Sequence, residues 1–144
     1  MVSNDVKMMP RCWLVGCLLV AMSAGCTAND RESTPGTATK VITAEELTRQ
    51  IQNAQAPLIL DVRSQEEYAD GHIPGAQNIP HDQLLNRLSE IDAAKTEEIV
   101  VHCRSGHRAG IAEKILIEAG YSNVRDLDGH MNGWRSGGYP IEEP

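Results

Sequence analysis

The chain has 144 residues, which is the length of one ordinary domain with a single buried core. Its formal net charge at pH 7 is -7, and residues 1–25 contribute two positive charges and one negative, so the rest of the chain carries -8. A domain this acidic repels a phosphate backbone, which argues against nucleic acid as a partner.

Residues 1–25 have the pattern of an export signal. Lys7 and Arg11 precede an apolar segment, residues 12–24, that is too short to cross a bilayer. Two of the four cysteines lie in this segment, so they cannot belong to a disulfide framework of the mature protein. The sequence therefore predicts an exported protein with a leader over residues 1–25.

Cys26 ends the segment SAGC, residues 23–26, which resembles the lipobox of bacterial lipoproteins, where the cysteine is lipidated and becomes the first mature residue. Lipoboxes usually carry Leu at the place of Ser23, and the small residues Ser23 and Gly25 also suit ordinary signal peptidase. Both routes predict export. Lipidation would anchor the protein to a membrane of the cell envelope, and ordinary cleavage would release it into the periplasm. Residues 26–40 are mostly small, polar or charged, and they are predicted to form a flexible tether.

The predicted domain covers residues 41–144, where helix and strand patterns alternate. Capping pairs begin the first two helices, and apolar residues at helical spacing mark the others. Predicted helices cover residues 43–54, 64–68, 82–91 and 108–119. Apolar runs typical of strands buried on both faces recur between them. Predicted strands cover residues 58–62, 77–79, 97–103 and 124–127. We therefore expect an α/β fold with a largely parallel sheet, followed by a glycine-rich tail that contains Trp134.

Cys103 lies where the strand over residues 97–103 ends and the helix near Arg108 begins. Ligands bind at this edge of parallel sheets, and the N–H groups of a helix N-terminus favour an anion such as a thiolate. Gly106 lets the loop turn where a side chain would clash. A free cysteine can also be a small core residue, but that interpretation leaves Arg104 and Arg108 unexplained. The sequence therefore favours a reactive thiol.

Three blocks of this domain carry a family resemblance. They are LILDVRSQEEYADGHIPGAQNIP at residues 58–80, VVHCRSGHRAG at residues 100–110 and LDGHMNGW at residues 127–134. In this order they resemble the first signature, the active loop and the C-terminal block of a single-domain rhodanese, a sulfurtransferase family. The resemblance implies a rhodanese-like three-layer fold, in which helices flank a central, mostly parallel sheet of about five strands.

The resemblance also implies sulfur transfer through a persulfide on Cys103. The thiolate would take the outer sulfur of thiosulfate or a related donor, and a thiol or cyanide would accept it. The loop after the cysteine would hold the persulfide through its amides and bind the anionic donor through its side chains. The residues implied in these roles are Arg104, Ser105, Gly106, His107 and Arg108. No cofactor is implied.

Other residues have supporting roles in this interpretation. Asp61 is expected to orient the loop, and Arg63 to pair with a nearby carboxylate such as Glu67, since strand-end charges commonly form structural networks. Trp134 is expected in the core. Relatives usually carry glycine where this chain has His130, so the backbone is expected to differ there and the rim of the site to gain an imidazole. The five histidines are dispersed and form no helical pair four residues apart, so no metal site is predicted.

Two alternative functions are compatible with this fold. Dual-specificity phosphatases place five residues between cysteine and arginine, so that the loop encircles a phosphate, whereas four residues separate Cys103 from Arg108 here. The resemblance therefore implies a tighter loop that suits the outer sulfur of a persulfide, which favours sulfur transfer. The second alternative is a noncatalytic rhodanese module that binds a partner protein or carries persulfide sulfur for it. The presence of Cys103 and both loop arginines favours catalysis.

Overall fold

The computed structural model describes residues 40–143, where strands and helices alternate. The strands are β1 (Lys40–Ile42), β2 (Leu58–Asp61), β3 (Gln77–Asn78), β4 (Ile99–His102) and β5 (Val124–Leu127). The helices are α1 (Ala44–Gln52), α2 (Gln65–Ala69), α3 (His107–Glu118) and α4 (His130–Ser136). Two 3-10 turns, Leu84–Asn86 and Leu88–Glu90, lie between β3 and β4.

The strands form one sheet in the order β1-β5-β4-β2-β3, and every pairing in it is parallel. At the end of the pairing between β2 and β4, Asp61 lies opposite His102. Parallel strands require crossover connections, and the helices provide most of them. The prediction of an α/β fold with a parallel sheet of about five strands flanked by helices is confirmed.

β2 and β4 are buried on both faces, which explains their continuous apolar sequences. Leu60 and Val101 lie on one face, in a cluster that includes Leu116 of α3. Val100 lies on the other face, in a cluster that includes Trp134 of α4. Each central strand therefore contributes to two cores, and Trp134 is a core residue as expected.

Two helices begin with the side-chain caps that their sequences predict. Thr43 Oγ1 accepts a hydrogen bond from the amide of Glu46 at 3.1 Å. Ser64 and Glu67 form a reciprocal capping box, with bonds of 3.3 and 3.2 Å. The box fixes the start of α2 and so positions Glu67 near the carboxyl edge of the sheet.

Three segments differ from the sequence-based expectation. Residues 82–91 form the two 3-10 turns instead of one helix, because Arg87 between them leaves the helical region with φ -120° and ψ 18°. The glycine-rich tail contains α4, since burial of Met131 and Trp134 outweighs the low helix propensity of glycine. β1, which pairs with β5, was not predicted.

No helix within residues 40–143 combines the length and the hydrophobicity needed to cross a bilayer. The predicted leader, residues 1–25, lies outside the described part of the chain, and so does the candidate lipidation site, Cys26. Most of the predicted tether, residues 26–40, lies outside it as well. Lys40, the last residue assigned to the tether, belongs to β1.

Candidate active site

Cys103 directly follows β4 at the carboxyl edge of the sheet, and it is unpaired and 1% exposed. The amide of Gly106 donates a hydrogen bond to Cys103 Sγ at 3.0 Å. The turn that makes this bond needs φ +107° at Gly106, a value that side-chain-bearing residues rarely adopt. The loop therefore presents a fixed N–H donor to the sulfur, which favours negative charge there.

The five loop residues after Cys103 lie at different depths. The exposed ones are Arg104, Ser105 and His107, and the half-buried ones are Gly106 and Arg108. His107 is the first residue of α3, whose 12 residues give the helix a positive end that faces the loop. All five candidates thus lie in the loop or in the first turn of α3, and the amide of Gly106 is bonded to the sulfur.

Arg108 forms an ion pair with Glu67 of α2. Its Nη1 and Nη2 atoms donate to Glu67 Oε2 and Oε1 at 2.5 and 2.9 Å. The bonds from Arg108 lower the pKa of Glu67 to about 2. The pKa of Arg108 is raised, mainly by Glu67 and to a smaller extent by Cys103. Arg108 therefore lies near enough to the sulfur to stabilise a thiolate, but a carboxylate already holds its guanidinium.

Arg63 pairs with a nearby carboxylate, as expected from the sequence, but its partner is Asp61 and not Glu67. Nη2 of Arg63 lies 2.6 Å from Asp61 Oδ2, and Nε donates to both carboxylate oxygens at 3.0 Å. The same guanidinium donates to the carbonyl of Gly71 at 3.0 Å. The pair therefore joins the end of β2 to the turn after α2. The Asp61 carboxylate is held by Arg63, where an orienting contact with the loop was expected.

His102 precedes Cys103 and points to the other side of the strand. It is fully buried, and its Nε2 lies 3.7 Å from Asp61 Oδ2 without a hydrogen-bond partner among the described residues. Burial lowers the pKa of His102 to about 4, against the opposing effect of Asp61. The imidazole is therefore neutral at pH 7. This neutral ring therefore lies beside the buried pair of Asp61 and Arg63.

A cavity of about 240 Å³ lies beside the loop. Its lining includes Arg63, Glu67, Asp70, Arg104, Asn132 and Arg135. Arg135 is paired with Asp70 at 3.3 Å. The side chain of Arg104 has no hydrogen bond or ion pair within residues 40–143. The cavity therefore offers one uncommitted guanidinium, which favours a small anion.

The start of α4 contacts the loop directly. The amide of Met131 donates to the carbonyl of Cys103 at 3.0 Å, and the amide of Asn132 donates to that of Arg104 at 3.1 Å. Sequence reasoning missed Asn132 and Arg135 because it assigned their segment to a tail. Their spacing of three residues, which places side chains on one face of a helix, was the available signal.

Within the described residues, no group of three or more His, Cys, Asp and Glu side chains is arranged to hold a metal ion. The fold and the loop define the class: a parallel α/β domain in which a buried cysteine follows the central strand and accepts a hydrogen bond from the next turn. The Rhodanese-like domain family matches residues 43–137, more than half of the chain. The chain therefore belongs to the rhodanese-like family, as the resemblance implied.

Individual relatives differ in how much of their length is shared. A protein named Sulfurtransferase from Allochromatium vinosum is 35% identical over 103 residues, which cover 72% of this chain and 94% of the relative. The HTH-type transcriptional regulator Rv0324 from Mycobacterium tuberculosis is 40% identical over 110 residues. That match covers 75% of this chain but 47% of the regulator, so the chain spans about half of that relative's length.

A solved structure has the same fold. The crystal structure of the Alr3790 protein from Anabaena sp. is 31% identical to this chain, with a TM-score of 0.65. The match covers 72% of this chain and 82% of that one. The match to this structure agrees with the family assignment and with the rhodanese-like fold.

Proposed function

We propose that this protein is a sulfurtransferase that carries sulfane sulfur as a persulfide on Cys103. The observation that carries the proposal is the hydrogen bond of 3.0 Å from the Gly106 amide to Cys103 Sγ. Such a bond gives the sulfur the preorganised donor that a persulfide anion needs. The Allochromatium vinosum relative, which matches over 94% of its length, is named Sulfurtransferase, and this name supports sulfur transfer in general.

The proposed reaction is a double displacement. The Cys103 thiolate attacks the outer sulfur of thiosulfate, the sulfur–sulfur bond of the donor breaks, and sulfite leaves with the electron pair. Cyanide or a thiolate then attacks the terminal sulfur of the persulfide. The products of this second step are thiocyanate or a new persulfide, together with the original Cys103 thiolate. Both steps proceed without a cofactor.

The charges around the cavity favour an anionic donor, either thiosulfate or a related persulfide. Arg104 lines the cavity and has no partner within residues 40–143, so its guanidinium can bind an anion in the bidentate manner. Arg135, also in the lining, is held by an exposed carboxylate that an anion can displace. Arg108, held by Glu67, adds positive potential at the sulfur rather than a free binding group.

The deciding experiment measures thiosulfate-to-cyanide transfer by the full chain beside Cys103→Ser, with the intact mass recorded before and after donor is added. Turnover and a mass gain of one sulfur atom in the wild type alone support the enzyme. A mass gain without turnover indicates a carrier that delivers sulfur to a partner protein. If neither occurs with thiosulfate or a low-molecular-weight persulfide, the proposal fails.

We also propose that the protein is exported and anchored through a lipid on Cys26. The proposal rests on the leader pattern of residues 1–25 and on the segment SAGC. Labelling with a radioactive fatty acid should mark the wild type and not Cys26→Ala. Cleavage of the leader without label in either protein would instead indicate plain secretion, and a full-length unlabelled chain would overturn both routes.

A further inference from the structure

His130 has a backbone conformation that is unusual for a residue other than glycine. It is the first residue of α4, it is 8% exposed, and its φ is +49°. Left-handed backbone costs free energy for any residue with a Cβ, and glycine adopts it freely. Because a strained residue persists where its side chain makes compensating contacts, the surroundings of the imidazole are informative.

One edge of the imidazole packs against the loop that follows Cys103. A Cβ added to Gly106 would lie 2.7 Å from His130 Nε2 and 3.3 Å from Cδ2, so the ring fills the space beside Gly106. The amide of Gly106 is the group that donates to Cys103 Sγ. His130 therefore touches the residue whose peptide orientation decides whether the sulfur keeps its N–H donor.

The other edge of the ring faces carboxylates. Nδ1 of His130 lies 3.6 Å from Asp126 Oδ1, and neither buried atom has a hydrogen-bond partner among the described residues. The negative charges of Glu113 and Asp128 favour the protonated ring and so act to raise its pKa. His102 is a further titratable neighbour. Burial nevertheless lowers the pKa of His130, so the ring is uncharged at pH 7. A neutral ring between these groups and the loop acts by packing.

We propose that His130 is a positioning residue for sulfur transfer, because its imidazole restrains Gly106 and so keeps the Gly106 N–H directed at Cys103 Sγ. The effect on sulfur transfer rests on the proposed function, whereas the restraint on Gly106 rests on the geometry alone. Met131 and Asn132, which follow His130, already bond the carbonyls of Cys103 and Arg104. The ring extends this contact to Gly106, whose amide bonds the sulfur.

Two substitutions by amide side chains test the contacts of the two ring edges separately. His130→Asn places a polar atom near the position of Nδ1, tolerates left-handed backbone and removes the contact with Gly106. His130→Gln reaches the position of Nε2 and keeps that contact. His130→Gly removes the whole ring and suits φ +49°.

Two quantities are measured on the full chain: hydrogen exchange of the Gly106 amide by NMR, and the rate at which thiosulfate loads sulfur on Cys103. In His130→Asn and His130→Gly we expect exchange to be faster and loading slower, each by about threefold or more. We expect His130→Gln to stay within about twofold of the wild type. We expect His130→Gly to keep or raise the Tm, since it relieves the strained backbone.

Three results would overturn the proposal. The first is wild-type exchange of the Gly106 amide in both His130→Asn and His130→Gly. The second is faster exchange with unchanged loading, and the third is equal losses in His130→Gln and His130→Asn. If the wild type takes up no sulfur at all, the proposed function fails, yet the exchange rate of Gly106 still decides whether His130 restrains the loop.

Discussion

Two arginine–carboxylate pairs lie at the carboxyl edge of the sheet, and they differ in their exposure to solvent. The side chains of Asp61 and Arg63 are 0% and 4% exposed, whereas those of Glu67 and Arg108 are 32% and 25% exposed. Water cannot replace either partner of the buried pair, but it can replace those of the outer pair at small cost. The comparison therefore separates a pair that maintains the fold from a pair that can respond to substrate.

The largest effect is expected from Asp61→Asn, which leaves the Arg63 guanidinium buried without a counter-charge. Breaking a buried ion pair in this way costs about 3 to 5 kcal/mol of the free energy of unfolding. Equilibrium unfolding in urea measures the loss, with Glu67→Gln as the matched control. Equal losses in the two variants would contradict the distinction between a structural and a responsive pair.

The next effect is acid destabilisation through His102, the neutral ring beside the inner pair. Its pKa is about 4 in the fold against 6.5 ordinarily, so protonation favours the unfolded chain. The contribution of the neutral His102 ring to the free energy of unfolding is fully present above pH 6.5. It is lost as the pH drops toward 4, and the loss is about 3 kcal/mol at most. Urea unfolding across this range should show the decline in the wild type and a flatter profile in His102→Gln. If His102→Gln shows the same decline with pH as the wild type, the decline belongs to other titratable groups.

A smaller effect is expected from Glu67→Gln in the outer pair. Because the pair is partly exposed and screened by solvent, we expect a loss of about 1 kcal/mol or less of the free energy of unfolding. The pKa of Glu67 lies at about 2 in the fold against 4.5 ordinarily, so its contribution is present above pH 4.5 and is lost as the pH falls toward 2.

The same substitution should change substrate binding. Release of Arg108 from its carboxylate should lower the KM for thiosulfate by about threefold, since the guanidinium becomes available to the anion. Steady-state kinetics measure the change, with Glu90→Gln on the remote 3-10 turn as the control for loss of one acidic charge. A KM that rises would mean that Glu67 serves to position Arg108 and not to compete for it.

The smallest effect on stability is expected from Arg104→Gln, because this exposed side chain has no partner within residues 40–143. Its stability should stay within about 0.5 kcal/mol of the wild type. The KM for thiosulfate should rise about fivefold with little change in kcat, since binding loses one guanidinium. Arg87→Gln, between the two 3-10 turns, removes one arginine elsewhere and should leave the KM unchanged. Equal effects of both variants would point to net charge alone.

The inner pair also shows what the sequence could not predict. Arg63 lies four residues from Glu67 and two from Asp61, so both carboxylates are close to it in sequence. It lies in a bend between β2 and α2, and the periodicities of strands and helices do not fix the direction of a side chain in a bend. The sequence therefore predicted a carboxylate partner for Arg63 but not which of the two carboxylates it is.

The cysteine loop was predictable because its signals are local. An apolar run marks β4, and the turn at Gly106 needs a residue that tolerates positive φ. The lining contributed by α4 was not predictable in this way. That helix contains Gly133 and is preceded by Gly129, so its helix propensity is low. It forms because Met131 and Trp134 are buried against the sheet, a contact that depends on the whole fold.

The strand order has a consequence for the growing chain. β5, the last strand in sequence, lies between β1, the first, and β4. Until residues 124–127 are available, β1 has no neighbour and one edge of β4 stays open to other strands. The cysteine loop follows that open strand, so a chain that emerges from its amino end exposes the loop on an unfinished sheet. Completion of the site therefore waits for nearly the whole domain.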